Sequence, residues 1–290
     1  MASSYVRKIQ SEVCREIIDL INNNQDEWMQ RWVETPSCQN GVSGHEYTGA
    51  NIWATSITMW KYGLTDPRFL TFNQVQQLGG KVKKGTSTPI FFYKPIKNED
   101  TDERGTILRV YNAFNVELVE GINLSDLKPT SLPADQNTIV GAGSADQVDA
   151  YVRNTSAKIR NSQTGAFYAP IDDAIFMPSK SRFLGDGDYA TVSYYSTLLH
   201  ELVHWTGSVK RLNRDSIKEY NKKREVRAKE ELIAEIGAAM LCKRFGLTTK
   251  VRPDHASYIK GWISLLNDSP YELFRASAAS KAAVTYLDDL

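Results

Sequence analysis

Five residues, His200-Glu201-Leu202-Val203-His204, constrain this chain more than any other part of it. Two histidines four positions apart can share one metal ion only on a helix, where 3.6 residues per turn bring both imidazoles to one face. The surroundings agree with a helix over 191–205. Leu198, Leu199, Leu202 and Val203 give it apolar contacts with a core, and Gly207 offers a stop. Glu201 stands beside the first histidine, where a carboxylate can act as a general base. A solvated helix with chance His and Glu is the bland alternative. Against it, the chain has four histidines and two of them are here.

Catalytic zinc takes three protein ligands and keeps one position open. A second expected helix, 226–245, carries Glu230, Glu231 and Glu235, followed by the small residues Gly237, Ala238 and Ala239 that permit close packing. Glu231 is assigned as third ligand and Glu235 as the group that orients a ligand histidine. Glu230 and Glu235 stay open as alternatives for the third position. The expected cofactor is one divalent ion, Zn2+ or another such as Mn2+.

Bulk properties set limits on the rest. With 290 residues, 41% of them apolar, and a mean hydropathy of −0.40, the chain reads as a protein of two ordinary domains. No stretch nears the roughly 20 apolar residues of a membrane span, so no membrane partner is expected. The basic residues near the start have no apolar run behind them, and Cys14, Cys38 and Cys242 are too few and too scattered for a disulfide framework. A reduced, cytoplasmic setting is expected. A net charge of +1 removes any argument for nucleic acid from composition alone, so such a partner must rest on local clusters.

Apolar spacing predicts a helix over 4–23 and another opening at Thr71, and strands over 89–94 and 106–111 with a polar turn at 98–105, Phe114-Asn115-Val116 continuing the second strand. Residues 129–146, rich in Pro, Gly and Ser, read as a linker between domains at 1–128 and 147–290. Short strands are expected at 166–169 and 174–177, the latter lying along the cleft to pair with an extended peptide. Gly185–Asp188 reads as a loop. A helix follows Asp254, and a last one opens at Ser269-Pro270-Tyr271-Glu272 with a capping box. The fold class is α+β.

The basic turn Lys81-Val82-Lys83-Lys84-Gly85 precedes the aromatic strand Phe91-Phe92-Tyr93-Lys94, with Trp53, Trp60 and Tyr62 upstream. Lysines for phosphates and rings for bases are what single-strand binding uses. A solvated turn and a core of aromatics would look the same.

The segment 197–207 resembles the metal helix of zincin metallopeptidases whose third ligand is a glutamate on a later helix. The closer resemblance is to the plasmid antirestriction proteins of the ArdC type. It is carried by that helix, by Arg211-Leu212-Asn213-Arg214, and by the glutamate helix at 230–239. In the first half it rests on Tyr47-Thr48-Gly49-Ala50-Asn51, Leu70-Thr71-Phe72, residues 78–85 and Phe114-Asn115-Val116. The resemblance implies a small α/β domain that binds single-stranded DNA, followed by a zincin-like metallopeptidase domain, in a protein that protects incoming plasmid DNA from host restriction. On that footing Lys81, Lys83, Lys84, Tyr47, Asn51, Trp53 and Phe92 become the DNA-contact candidates, and His200, His204, Glu231 and Glu201 the metal site and its base. Protection by covering DNA is one expectation. Cleavage of a host protein or peptide, with DNA binding for targeting, is the alternative.

Overall fold

The computed structural model describes residues 4–23, 37–97, 104–130, 142–183, 188–247 and 255–290. Two compact units divide the chain: Met1–Ile17 with Thr35–Pro133, and Ile18–Glu34 with Ala134–Leu290. Helix α1 (Ser4–Asn23) buries Val6, Val13, Ile17 and Ile21, spaced to share one face.

In the first unit β1 (Gln39–Asn40), α2 (Ala50–Tyr62), β2 (Arg68–Thr71), α3 (Phe72–Gln77), β3 (Lys81–Val82), β4 (Thr88–Lys97), β5 (Arg104–Asn115) and β6 (Val119–Glu120) follow in turn. Four strands form a sheet in the order β1-β2-β5-β4, parallel only between β1 and β2. The β4–β5 ladder runs from Thr88↔Ala113 to Lys97↔Arg104; β4 outruns the sequence expectation at both ends and β5 at its start, while its end at Asn115 falls within the expected continuation. Cross-strand hydrogen bonds carry extended structure into polar residues that show no strand pattern of their own. Of the expected turn, Arg104 and Gly105 belong to β5 and 98–103 lie outside the described residues. Helix α3 starts where Thr71 accepts the Gln74 N–H at 3.3 Å, while the Gln74 side chain accepts the Thr71 N–H at 2.8 Å. Met59, Phe69, Ile90 and Ala113 form the core beneath the sheet.

The second unit contains α4 (Ala142–Asn154), β7 (Lys158–Asn161), β8 (Phe167–Ala169), β9 (Ala174–Met177), α5 (Asp188–Thr206), α6 (Asp215–Lys218), α7 (Arg224–Arg244), α8 (His255–Asp268) and α9 (Tyr271–Asp288). Residues 142–146 of the expected linker are therefore helical, and 131–141 lie outside the described residues. Of the expected loop at 185–188, Asp188 opens α5 and the rest lies outside them as well. The sheet order is β7-β9-β8, with β8 antiparallel to β9. This corrects one expectation: residues 174–177 form the central strand, paired on both sides, and cannot take up a peptide. The edges are β7 and β8.

Helices α5 and α7 pack closely because position 237 has no side chain. A Cβ there would lie 2.9 Å from Val203 Cγ2. The capping box expected at the last helix does not form. Its first helical turn follows Pro270, and the Glu272 carboxylate instead accepts from Lys229 at 3.2 Å and Arg275 at 2.7 Å. Among the described residues, no helix is long and apolar enough to cross a membrane.

Candidate metal centre and nucleic-acid surface

Helix α5 projects His200 and His204 toward α7, and both are about 95% buried. Their Nε2 atoms lie 3.1 Å apart. Glu231 of α7 completes the group, its carboxylate 3.4 Å from His200 Nε2 and 3.9 Å from His204 Nε2. One donor atom from each of the three lies within 4.8 Å of the others. Tetrahedral bonds of 2.0–2.2 Å would put ligand atoms about 3.4 Å apart, which these separations bracket.

The outward nitrogens explain why the inward ones converge. His204 Nδ1 is 3.1 Å from Glu230 Oε1, and His200 Nδ1 is 3.1 Å from Glu235 Oε2. A carboxylate at each Nδ1 favours the tautomer with its proton there. Both Nε2 lone pairs then point at each other and at Glu231, an arrangement that repels itself and suits a cation. Charge says the same. Glu201, Glu230, Glu231 and Glu235 are all buried, against two imidazoles and the guanidinium of Arg214. A dication would reduce that excess. The residues present therefore fit a divalent ion.

Glu230 and Glu235, the two alternatives for the third ligand, each face an Nδ1 and stand behind the histidines. Glu230 is tied further: Arg214 donates to it at 2.6 and 3.1 Å, and Ser216 also donates to it. Arg214 reaches Thr206 Oγ1 and the Val203 carbonyl as well. It passes so close to Gly207 that a Cβ there would lie 2.7 Å from its Nη2. Burial pushes the Glu230 carboxyl up, but His204 and Arg214 outweigh it and hold it below its ordinary value. For Glu231, burial also raises the carboxyl, while protonated His200 and His204 imidazoles beside it and the Tyr220 hydroxyl would bring it down to about 2, a state that competes with the lone-pair arrangement a metal needs. Glu201 accepts the backbone N–H of Tyr168 at 2.8 Å, so the base lies against the edge strand β8.

Sequence reading missed the parts played by Arg214, Tyr168 and Tyr220. Arg214 was visible only as part of a resemblance. Tyr168 and Tyr220 carry no sequence signal, since long-range packing brings them in.

In the first unit three of the DNA-contact candidates also serve the fold. Trp53 is 1% exposed, and Tyr47 is buried edge-on against Phe69 at 6.0 Å. Asn51 clips α2 to β4 by donating to the Phe91 carbonyl at 2.8 Å and accepting the Phe91 N–H at 2.7 Å. Lys81, Lys83, Lys84 and Phe92 are exposed. Lys81 stands opposite Glu120 across β3–β6. The end of α2 adds what sequence order hid. The Tyr62 hydroxyl donates to the Gly85 carbonyl at 3.2 Å, which sets an exposed ring and the neighbouring Lys61 beside Lys83 and Lys84. Phe92 faces Arg109 across the β4–β5 ladder.

Comparison with known proteins agrees across the chain. Residues 7–120 match the family described as the N-terminal domain of anti-restriction factor ArdC, and residues 146–279 match the zincin-like metallopeptidase family. The metal-free crystal structure of the antirestriction ArdC protein from plasmid R388 superposes with a TM-score of 0.75 at 30% identity, covering 97% of this chain and 96% of that one. Its Mn(II)-bound structure gives 0.77 at 29% identity, with 97% of each chain covered. The DNA primase TraC of Escherichia coli is 29% identical over 95% of this chain. The chain spans about a fifth to a quarter of the length of the two TraC primases it matches.

Proposed function

Because the chain belongs to the ArdC-type antirestriction family, we propose that it binds single-stranded DNA through its first unit and holds a divalent metal at His200, His204 and Glu231 in its second, protecting incoming plasmid DNA from restriction by covering the strand. The observation that carries the DNA half is the joining of Tyr62 and Lys61 to the Lys83-Lys84 turn. Cations track a phosphate backbone and an exposed ring stacks a base without reading it. No ion pair among the described residues involves Lys61, Lys83 or Lys84. Two of the acids in this unit are engaged elsewhere: Glu117 accepts from the N–H groups of Thr65 and Asp66, and Asp66 pairs with Arg68.

The metal half rests on the convergence of two imidazoles and a carboxylate. When bound, a divalent ion would supply Lewis-acid polarisation of a carbonyl. Glu201 would take and return a proton, and the Tyr168 N–H would hold its carboxylate in place. A second reading, cleavage of a host protein with DNA binding for targeting, is favoured by one feature: an intact Glu201 lies against an edge strand, where an extended peptide can pair.

Glu201→Gln separates the two. The amide oxygen still accepts from Tyr168, and both histidines remain, so folding, metal content and DNA affinity should persist. Under the covering reading, restriction protection in cells survives. A folded, metal-loaded, DNA-binding Glu201→Gln protein that fails to protect would reject it in favour of cleavage.

A further inference from the structure

Tyr220 belongs to none of the motifs above. It lies between α6 and α7, and its hydroxyl donates to Oε1 of Glu231. Its ring meets the His204 imidazole edge-on, with centroids 5.9 Å apart and planes at 78°. The Arg227 guanidinium sits 5.2 Å from the ring centroid. One side chain thus touches two of the three candidate ligands.

The contact with Glu231 has a chemical consequence. A carboxylate can give a metal one oxygen or both. Oε2 lies 3.4 Å from His200 Nε2, whereas Oε1, which lies 3.9 Å from His204 Nε2 and could also ligate, is the oxygen that Tyr220 holds. Hydrogen bonds from a hydroxyl to a carboxylate are short and strong, so they compete with ligation. Glu231 is 2% exposed, so water offers Oε1 little competition for that donor. We propose that Tyr220 is a positioning residue of the metal centre. By occupying Oε1 it limits Glu231 to a single ligating oxygen and so preserves a coordination position for an incoming ligand, which sites that act on substrates keep open. This rests on the reading of His200, His204 and Glu231 as ligands.

The test loads the full-length wild type and Tyr220→Phe with Co(II) and compares their visible spectra, since four-coordinate Co(II) absorbs more strongly than higher-coordinate Co(II). Phenylalanine keeps the ring and its edge contact with His204, so a role in packing alone would leave the spectrum unchanged. The expected result is an intense four-coordinate spectrum for the wild type and weaker bands for Tyr220→Phe at full occupancy, with matching circular dichroism. Identical spectra would overturn the proposal. So would loss of Co(II) by a folded Tyr220→Phe, because the hydroxyl would then be needed for binding itself. Wild type that binds no Co(II) would overturn the ligand reading and this proposal together.

Discussion

The two units handle charge in opposite ways. In the second, five carboxylates are buried among the described residues, and Glu230 alone meets His204, Arg214 and Ser216. In the first, Lys61, Lys83 and Lys84 stand exposed and outside any ion pair among the described residues. A buried charge left without a partner costs several kcal/mol, so a cluster of them persists only when helix spacing, packing and neighbours are all specified together. An exposed lysine costs almost nothing, so its presence says little until a partner is measured. The candidate metal centre is thus over-determined by structure, whereas the basic surface is permitted by it.

The largest expected effect strikes the buried side. Arg214→Ala removes the guanidinium from a Glu230 that is 0% exposed and breaks two bonds to α5. Metal-free protein should lose about 3–5 kcal/mol in urea unfolding. A loss below about 1 kcal/mol would mean that this cluster tolerates disruption as readily as a surface, and the contrast would fail.

The exposed side should respond in binding and not in stability. Lys61, Lys83 and Lys84 replaced together by Ala should leave the melting temperature nearly unchanged while weakening single-stranded DNA binding. The slope of log affinity against log salt should flatten by about 2, near 0.7 for each phosphate that is no longer neutralised. Tyr62→Ala should cost about 1–3 kcal/mol of binding. Unchanged affinity and slope in the triple variant would mean that this surface is only solvated and that any DNA contact lies elsewhere.

Asp173 is an intermediate case and carries the smallest effect. Hydrogen bonds from Arg211 hold its carboxyl down, from an ordinary 3.8 to about 2. A depressed folded value means that its stabilisation is present above about pH 4 and is lost as pH falls towards 2. Melting curves should therefore fall less steeply for Asp173→Asn than for wild type across that window. Parallel curves would show that the pair adds nothing.

Much of the second unit was legible in its sequence because helices are local. Spacing alone put His200 and His204 on one face, and Gly237 marked the close approach of α7 to α5. Strand roles were less legible. Residues 174–177 look like any short apolar strand, and only pairing on both sides shows that β9 is central and β8 the edge. Aromatic residues were ambiguous for a similar reason. Trp53 and Tyr47 offer the same chemistry to a base as to a core, and burial is settled by the sheet they pack under.

The sequence by itself determined which side chains could ligate a metal and that a helix would present two of them together. Tertiary structure alone showed what Glu230, Glu231 and Glu235, assigned from the sequence on resemblance and spacing, each face. They lie on a single helix within two turns, so composition and spacing leave them nearly equivalent. The contacts that distinguish them come from elsewhere in the chain: Arg214 and Ser216 on Glu230, Tyr220 on Glu231 and His200 Nδ1 against Glu235. A carboxylate's role is set by which donor reaches it, and these donors reach theirs through packing, which local sequence does not encode.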